Sequence, residues 1–283
     1  MLIIYKNKHG TIRMNGGGRD NAWRIYDISG IGFPKKTFTY NTYAGVYGQE
    51  LNAVSITSRT ITISGDISEK SQRFLPVSSI MKILNEDGEL QIQTGRKIRR
   101  AKVRTISFDI DERKTMYKKF VLQLESDNPF FYGHTQKKFS VFSRSSLLSS
   151  PFVFPTSFSK RNMFCNANNG GDMETEPVFV LSKPKESAVV EGDNVVITNR
   201  TTGTSVLLEH TMQPGEEITI NIQERTIVSS LSGNIINKIS LDTILSDFLL
   251  VPGNNTISCD SSDVTLSVFC NFEELYLEAS HDE

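Results

Sequence analysis

Residues 127–133 read Asp-Asn-Pro-Phe-Phe-Tyr-Gly, and they separate two halves of the chain that both carry strand-forming patterns. The Asn-Pro pair indicates a turn or a strand end, because proline lacks a backbone donor and disfavours the helical conformation of the residue before it. Phe130, Phe131 and Tyr132 follow, and water would penalise their exposure. We predict that Pro129, Phe130 and Phe131 lie at a seam between two domains.

Length and charge limit the classes of protein to consider. Because 283 residues exceed one compact core, we expect a first domain over 1–132 and a second over 133–283, with 133–175 a linker or a long loop. The 31 basic and 32 acidic residues leave a net charge of −1. That balance gives no general attraction to nucleic acid or to an anionic membrane.

The sequence shows no membrane-spanning or secretory pattern. No stretch approaches the roughly 20 apolar residues of a membrane span. The opening residues, Met-Leu-Ile-Ile-Tyr-Lys, are too short for a signal-peptide core. We therefore expect a protein that is made in the cytoplasm and has no membrane partner.

The first half is predicted to be mostly strand, with one helix. Residues 54–67 carry the clearest alternation, since isoleucines are separated by threonine and serine as in a half-buried strand. A helix is expected over 77–84, with Pro76 dividing it from an earlier turn that Ser68 could cap. Further strands are predicted over 1–5, 23–31, 90–93, 96–110 and 120–124.

The second half reads as short strands at regular spacing. Turn residues such as Pro214-Gly215 separate them. Short strands separated at regular intervals by turns are typical of a β-sandwich. Residues 134–175 are expected to be the least structured part, although 139–142 could form a strand; serine is frequent over 143–150, and asparagine and glycine over 166–172. The predicted strands cover 178–181, 187–190, 195–199, 205–209, 217–223, 225–229, 257–259 and 264–272, and only 239–245 suggests a short helix or turn.

Cysteine and histidine do not indicate a cofactor or metal site. Cys259 and Cys270 could face each other across a hairpin, but with Cys165 we interpret them as small buried residues in a reducing cytosol. The histidines are scattered and have no metal-ligand spacing. We predict no metal and no cofactor; the four positions are His9, His134, His210 and His281.

One cluster of acidic residues could suggest that the protein is a hydrolase. Asp109 and Asp111 would share a strand face beside Glu112, which resembles the carboxylate pair of a glycosidase only superficially. Charges at a solvated strand end are far commoner, and we predict no catalytic residues.

A basic run precedes these carboxylates. Arg100, Lys102 and Arg104 would share one strand face, with Ala101 and Val103 turned to the core. Repeated around a ring, this face would form a positive band that attracts phosphates. The alternative is a solvated strand whose charges are neutralised by residues 109–112.

An ordered set of motifs resembles the distal tail proteins of long-tailed siphophages and related prophages. In the first half the set includes strand 59–67, Arg-Thr-Ile-Thr-Ile-Ser-Gly-Asp-Ile, and closes with Asp-Asn-Pro-Phe-Phe at 127–131. The other matching pieces are Gly45 and Gly48, the segment 74–85, and the stretches 88–90, 95–98, 120–124, 197–203, 214–216 and 250–255. Pro76 inside the helix and the stretch 143–172 depart from the family pattern.

The resemblance implies a structural role at the tip of the virion tail. The first domain, split-barrel-like or β-barrel-like with one helix, would close into a homohexameric ring. The second, a galectin-like β-sandwich, would project outward. The ring would join the tail tube protein to the tail-associated fibre or lysin protein, could carry a receptor-binding protein, and would pass the tape-measure protein and then DNA.

We place the predicted ring contacts and lumen in residues 1–132. They are Arg59, Ile61 and Ile63 on one strand and Arg96, Arg100, Lys102 and Arg104 on and beside the basic strand. The alternative function is a glycan-binding sandwich that recognises cell-wall sugar. The single tryptophan, Trp23, lies in the first half, so the second half lacks the indole platform that many sugar sites use.

Overall fold

The computed structural model describes residues 1–14, 22–45, 47–68, 76–111, 117–146 and 159–279. The chain divides into two compact units. The first unit holds Met1–His134 together with the segment that begins at Leu275, and the second unit is Thr135–Glu274. The sequence prediction assigned residues from Leu275 onward to the second domain, whereas the structure groups them with the first unit.

The first unit is built from strands and one helix, as predicted. Seven strands follow the sheet order β2-β1-β7-β8-β9-β6-β3, and each adjacent pair is antiparallel. This sheet is open, and no closed barrel forms within the described residues. The elements are β1 Leu2–Asn7, β2 Gly10–Met14, β3 Trp23–Ser29, β4 Lys36–Asn41, β5 Glu50–Ile56, β6 Arg59–Ser68, α1 Val77–Leu84, β7 Gly88–Thr94, β8 Lys97–Ile110, β9 Tyr117–Ser126 and β10 Phe131–Tyr132.

Strand β8 connects two parts of this sheet. Its beginning pairs with β7 and its end with β9, and the register with β9 shifts between Thr105 and Ser107. Such a bulge bends a strand and increases its twist. Strand β8 can therefore pair with β7 at one end and with β9 at the other, without closing a barrel.

The alternation predicted for 54–67 belongs to two strands. Ile61, Ile63 and Ile67 of β6 are buried, as a period of two requires. The chain leaves the strand conformation at residues 57–58, so the predicted continuous strand is wrong. Strand β5 pairs with β4 in a separate two-stranded hairpin.

The helix has the predicted bounds, and Pro76 stands at its N-cap, where a missing backbone N–H is harmless. Ser68, the predicted cap of an earlier turn, is the last residue of β6. The predicted earlier turn falls in 69–75, outside the described residues. The helix buries Ile80, Ile83 and Leu84.

The second unit contains two sheets around one buried cluster of apolar side chains, which is the layering expected of a sandwich. The sheet orders are β12-β11-β21-β14-β17-β18-β19 and β13-β20-β15-β16. The strands are β11 Lys137–Ser146, β12 Ser159–Asn162, β13 Phe164–Asn169, β14 Val178–Ser182, β15 Val195–Asn199, β16 Thr204–Leu208, β17 Glu217–Asn221, β18 Thr226–Ser229, β19 Gly233–Asn234, β20 Gly253–Asp260 and β21 Ser267–Phe272.

Several local predictions for the second unit differ from the structure. Residues 187–190 form no strand, and the stretch 134–175, predicted to be the least structured, contains β11, β12 and β13 in its described part. The region 239–245 forms no α-helix, and short 3₁₀ turns lie at Ile236–Lys238 and Leu245–Asp247. Cys259 and Cys270 are buried and lie in different sheets, so they do not face each other across a hairpin. Burial raises the pKa of the Cys270 thiol well above its ordinary value.

The last strand, β22 Leu275–Tyr276, returns to the first unit. It pairs antiparallel with β10, which also bridges to β8. These two short strands complete the nine-stranded sheet. No helix among the described residues has the length and apolar character needed to cross a bilayer.

Candidate assembly surface of the first unit

Arg59 joins three segments of the first unit. Its Nη1 donates to the carbonyl oxygens of Gly30 at 2.8 Å and Gly32 at 2.6 Å. Its Nε donates to the Pro129 oxygen at 2.6 Å, and Nη2 donates to the Leu277 oxygen at 2.8 Å. The side chain is 5% exposed, so its hydrogen bonds connect the 30–32 loop, the 127–133 stretch and the returning segment from inside.

Arg59 stays charged although it is buried, and an aromatic ring contact helps to fix its position. Burial lowers the pKa of Arg59 to about 10, which leaves the guanidinium protonated at neutral pH. The guanidinium carbon lies 4.4 Å from the ring centroid of Phe131, a cation–π contact. Gly30 has a φ of +81°, and a Cβ there would lie 2.0 Å from the Thr60 oxygen, so only glycine fits this approach.

The interface residues predicted on β6 lie inside the unit. Arg59, Ile61 and Ile63 are all buried, so a surface role is not open to them in this conformation. Phe131 also lies in the first unit's core, whereas Pro129 and Phe130 are half-buried. A seam between domains at these residues stays a prediction.

The basic strand is placed as predicted, with Ala101 and Val103 buried and Lys102 and Arg104 exposed. Carboxylates lie beside these cations. Arg104 forms an ion pair with Asp127, and Lys102 stands opposite Glu89 in the strand register.

Of the remaining residues predicted to line the ring lumen, Arg100 contacts other groups of the first unit and Arg96 is exposed. Arg100 Nη1 lies 3.3 Å from a Glu89 carboxylate oxygen, and Arg100 Nε donates to the Gly133 oxygen at 2.8 Å. Arg96 is exposed in the turn before β8. Glu89 of β7 and Asp127 of the 127–133 stretch thus lie beside these cations, so any positive band is weaker than the sequence suggests.

The hairpin of β4 and β5 is the surface that the sequence analysis missed. Phe38 pairs with Val54 and Tyr40 with Leu51. The Phe38 and Tyr40 rings stack with centroids 6.4 Å apart. These four apolar side chains remain 48–50% exposed. The alternation Lys-Thr-Phe-Thr-Tyr-Asn at 36–41 was the available signal.

The hairpin has two chemically different faces. Thr37, Thr39 and Ser55 occupy the alternate positions along its strands. No third strand pairs with β4 or β5 in the described chain. An isolated two-stranded hairpin is marginally stable in water, so its exposed apolar face favours coverage by another molecule.

The hydrolase alternative gains no geometric support. Asp109 is exposed on β8 opposite Val121, and the backbone N–H of Asp111 bonds to Lys119. Glu112 lies outside the described residues. Within the described ranges, no group of three or more histidine, cysteine or acidic side chains could hold a metal ion.

Buried Ser229 and Glu216 and half-buried His210 form a hydrogen-bonded cluster in the second unit, but they are not connected as in a catalytic triad. Glu216 accepts hydrogen bonds from the Gln213 N–H at 2.7 Å, from His210 Nε2 at 2.9 Å and from the Ser229 hydroxyl. A nucleophilic serine needs the histidine as its base, whereas here the serine donates directly to the carboxylate. The cluster therefore ties loops together.

This cluster predicts acid sensitivity of the second unit. Burial would raise the Glu216 pKa, but hydrogen bonds from Ser229, Gln213 and His210 outweigh it and hold the pKa below its ordinary value. A carboxyl with a lowered folded-state pKa stabilises the fold above its unfolded pKa, about 4.3. That contribution is lost as pH falls through the folded-state pKa.

We expect Glu216→Gln to lower the free energy of unfolding of the second unit by about 2 kcal/mol at pH 7. The deficit should shrink toward pH 3, where the wild-type carboxyl is itself protonated. Urea titrations between pH 3 and 7 measure this, with the exposed neighbour Glu217→Gln as control. Parallel pH profiles for Glu216→Gln and the wild type would contradict the linkage.

Comparison with known proteins finds similarity to phage tail proteins. Residues 170–276 match a family described as siphovirus-type tail component, C-terminal domain. The predicted resemblance to siphophage distal tail proteins is confirmed. No curated protein sequence matches the chain.

Two solved structures extend the distal tail protein fold over nearly the whole chain. The SPP1 Dit (gp 19.1) protein, described as a paradigm of the hub adsorption apparatus in phages infecting Gram-positive hosts, is 13% identical with a TM-score of 0.65. That match covers 89% of this chain and 93% of the SPP1 chain. A chain of the phage P2 baseplate in its activated conformation with Ca is 12% identical, with a TM-score of 0.51 and coverage of 97% and 98%. At such identities the likeness shows the fold.

Proposed function

We propose that this protein is the hub at the distal end of a long non-contractile phage or prophage tail. Six copies of the first unit close into a homohexameric ring that joins the tail tube protein to the tail-associated fibre or lysin protein. The observation that carries the proposal is the β4–β5 hairpin, whose apolar face stays exposed among the residues that the structure describes. The likeness to the SPP1 hub protein supports it.

A ring needs two different surfaces on each copy, because its contacts are heterologous and close by rotation. The apolar hairpin face supplies one surface. Ile106 on β8 and Val121 on β9 are exposed apolar side chains that can belong to the other. Strands β2 and β3 end the described sheet path, and their edges can be covered on ring closure.

The remaining assignments follow from the hub role. The protein works in the virion at the tail tip after synthesis in the host bacterial cytoplasm, and it acts as a non-enzyme. The lumen passes the tape-measure protein and DNA beside the basic strand. The second unit, a galectin-like sandwich in this proposal, projects outward and can carry a receptor-binding protein.

The glycan-binding alternative has less support. Sugar sites commonly use an exposed aromatic platform. Among the described residues of the second unit, Phe164 is the exposed aromatic side chain, and Phe272 is buried in the core. Tyr276 belongs to the first unit.

The mass of the purified protein tests the ring. We expect a species of six 31.8 kDa chains and expect Phe38→Ser with Tyr40→Ser to shift it to the monomer. Both aromatic rings are already half-buried in a single copy, so each substitution removes only about 1 kcal/mol of apolar burial from an interface. The double variant therefore weakens every interface by about 2 kcal/mol, which prevents ring closure. Sedimentation over a range of concentrations measures the shift.

The polar face provides the matched control. Thr37→Ser with Thr39→Ser changes the same strand on its other side and should leave the ring intact. A hexamer that persists in the apolar-face variant would exclude the hairpin as an interface. A wild-type protein that stays monomeric at every concentration would count against self-closure.

A further inference from the structure

Residues 275–279, called here the closing segment, complete the first unit although the whole second unit precedes them in the chain. Tyr276 and Leu275 pair with Phe131 and Tyr132 as β22 against β10. The Arg99 guanidinium carbon lies 3.3 Å from the Tyr276 ring centroid. The segment is therefore held in the sheet by backbone pairing and by a cation–π contact.

Beyond β22, the closing segment reaches the loop that precedes the hairpin. The Ala279 N–H donates to the Ile31 oxygen at 2.8 Å. Ala279 is 4% exposed and belongs to the buried core cluster of the first unit with Ile31. The Leu277 oxygen accepts from Arg59, which also binds the oxygens of Gly30 and Gly32.

These contacts fix both ends of the β4–β5 hairpin. The 30–32 loop leads into β4, which starts at Lys36, and Arg59 follows the end of β5 at Ile56 by three residues. The hairpin strands contact each other but join no further strand in the described chain. The direction in which the hairpin leaves the first unit is thus set at its base, where the closing segment binds.

We propose that the closing segment is a clasp that positions the β4–β5 hairpin for self-association. This inference rests on the proposed ring. The hairpin reaches its assembly position only after the chain has passed through the second unit and residues 275–279 have docked. Docking is easier once the second unit is compact, because closing a flexible loop costs entropy that grows with its length. Ring closure is thereby restricted to fully folded copies.

Ala279→Glu in the full chain tests the clasp. A bulky charge at this buried position blocks docking of the closing segment. Arg59 and the hairpin themselves carry no substitution in this variant. Hydrogen exchange should become at least about tenfold faster in residues 275–279 and in the 30–36 loop, while β14 and β17 of the second unit keep wild-type protection. The hexamer should weaken by at least about tenfold at each interface. Leu241→Glu adds the same charge at a fully exposed position of the second unit; it is the control and should behave as the wild type.

Each result decides one part of the proposal. Faster exchange in the closing segment with an unchanged loop and an unchanged hexamer would overturn the positioning role. Unchanged exchange in the closing segment would show that Ala279 does not secure it. If Ala279→Glu unfolds the whole unit, Ala279→Pro, which removes the N–H that bonds to Ile31 without adding a charge, is measured in the same way. Faster loop exchange in a protein whose wild type never oligomerises would retain the clasp and reject the ring.

Discussion

Replacing Arg59 with methionine should lower the free energy of unfolding of the first unit by about 3–5 kcal/mol. Methionine keeps a long apolar side chain, so the change removes the guanidinium rather than the bulk. Four backbone carbonyl oxygens lose their donor at once. An unsatisfied buried acceptor costs about 1–3 kcal/mol, and partial entry of water keeps the total below the sum of four such penalties.

The fluorescence of Trp23 measures this loss selectively. Trp23 is the single tryptophan of the chain and is buried in the first unit, with its ring centroid 4.8 Å from that of Phe120. A denaturant titration followed at this residue therefore reports the first unit. Loss of the Phe131 cation–π contact adds to the effect.

An arginine elsewhere in the same sheet supplies the control. Arg104 is about half exposed and pairs with the exposed Asp127, so Arg104→Met should change stability by less than about 1 kcal/mol. Similar small losses in Arg59→Met and Arg104→Met would show that the carbonyl contacts of Arg59 add little to stability.

The parts of the fold that local pattern determines were predictable from the sequence. Strand β6 alternates buried isoleucine with polar residues, and α1 begins at the residue after Pro76. The regular short strands of the second unit could also be predicted, because turn residues separate them. The mainly β prediction for both halves is confirmed.

The candidate surface depended on information that no local pattern contains. Phe38 and Tyr40 alternate with threonine as core residues do, so the sequence does not say whether their face is covered by the same chain or by another copy. Arg59 looked like a surface cation, but its acceptors include Leu277, 218 positions away. The two-residue pairing of β22 is too short to leave a periodic signal.

Replacing Lys183 with methionine should lower the free energy of unfolding of the second unit by about 3–5 kcal/mol at pH 7. Lys183 Nζ lies 2.5 Å from an Asp263 carboxylate oxygen, and the two side chains are 1% and 4% exposed. Asp263 also accepts from the backbone N–H and hydroxyl of Thr265. Removal of the cation leaves a buried carboxylate without its counter-charge, which is the costly way to break such a pair.

The pH dependence separates this explanation from a simple loss of packing. Burial would raise the Asp263 pKa, but Lys183 and Thr265 outweigh it and lower the pKa. Without Lys183 the folded-state pKa should rise above the unfolded value, about 3.9. The variant should then gain stability as pH falls through the new folded-state pKa, since protonation removes the unpaired charge. The wild-type contribution is instead lost as pH falls through its depressed pKa.

A double variant completes the argument. Lys183→Met with Asp263→Asn removes the charge and keeps an oxygen for Thr265, so it should recover more than half of the single variant's loss. Hydrogen exchange of the β14 and β21 amides measures all three proteins, and Lys185→Met, at an exposed lysine nearby, serves as control. A double variant no more stable than Lys183→Met would mean that lost packing, rather than the uncompensated carboxylate, causes the damage.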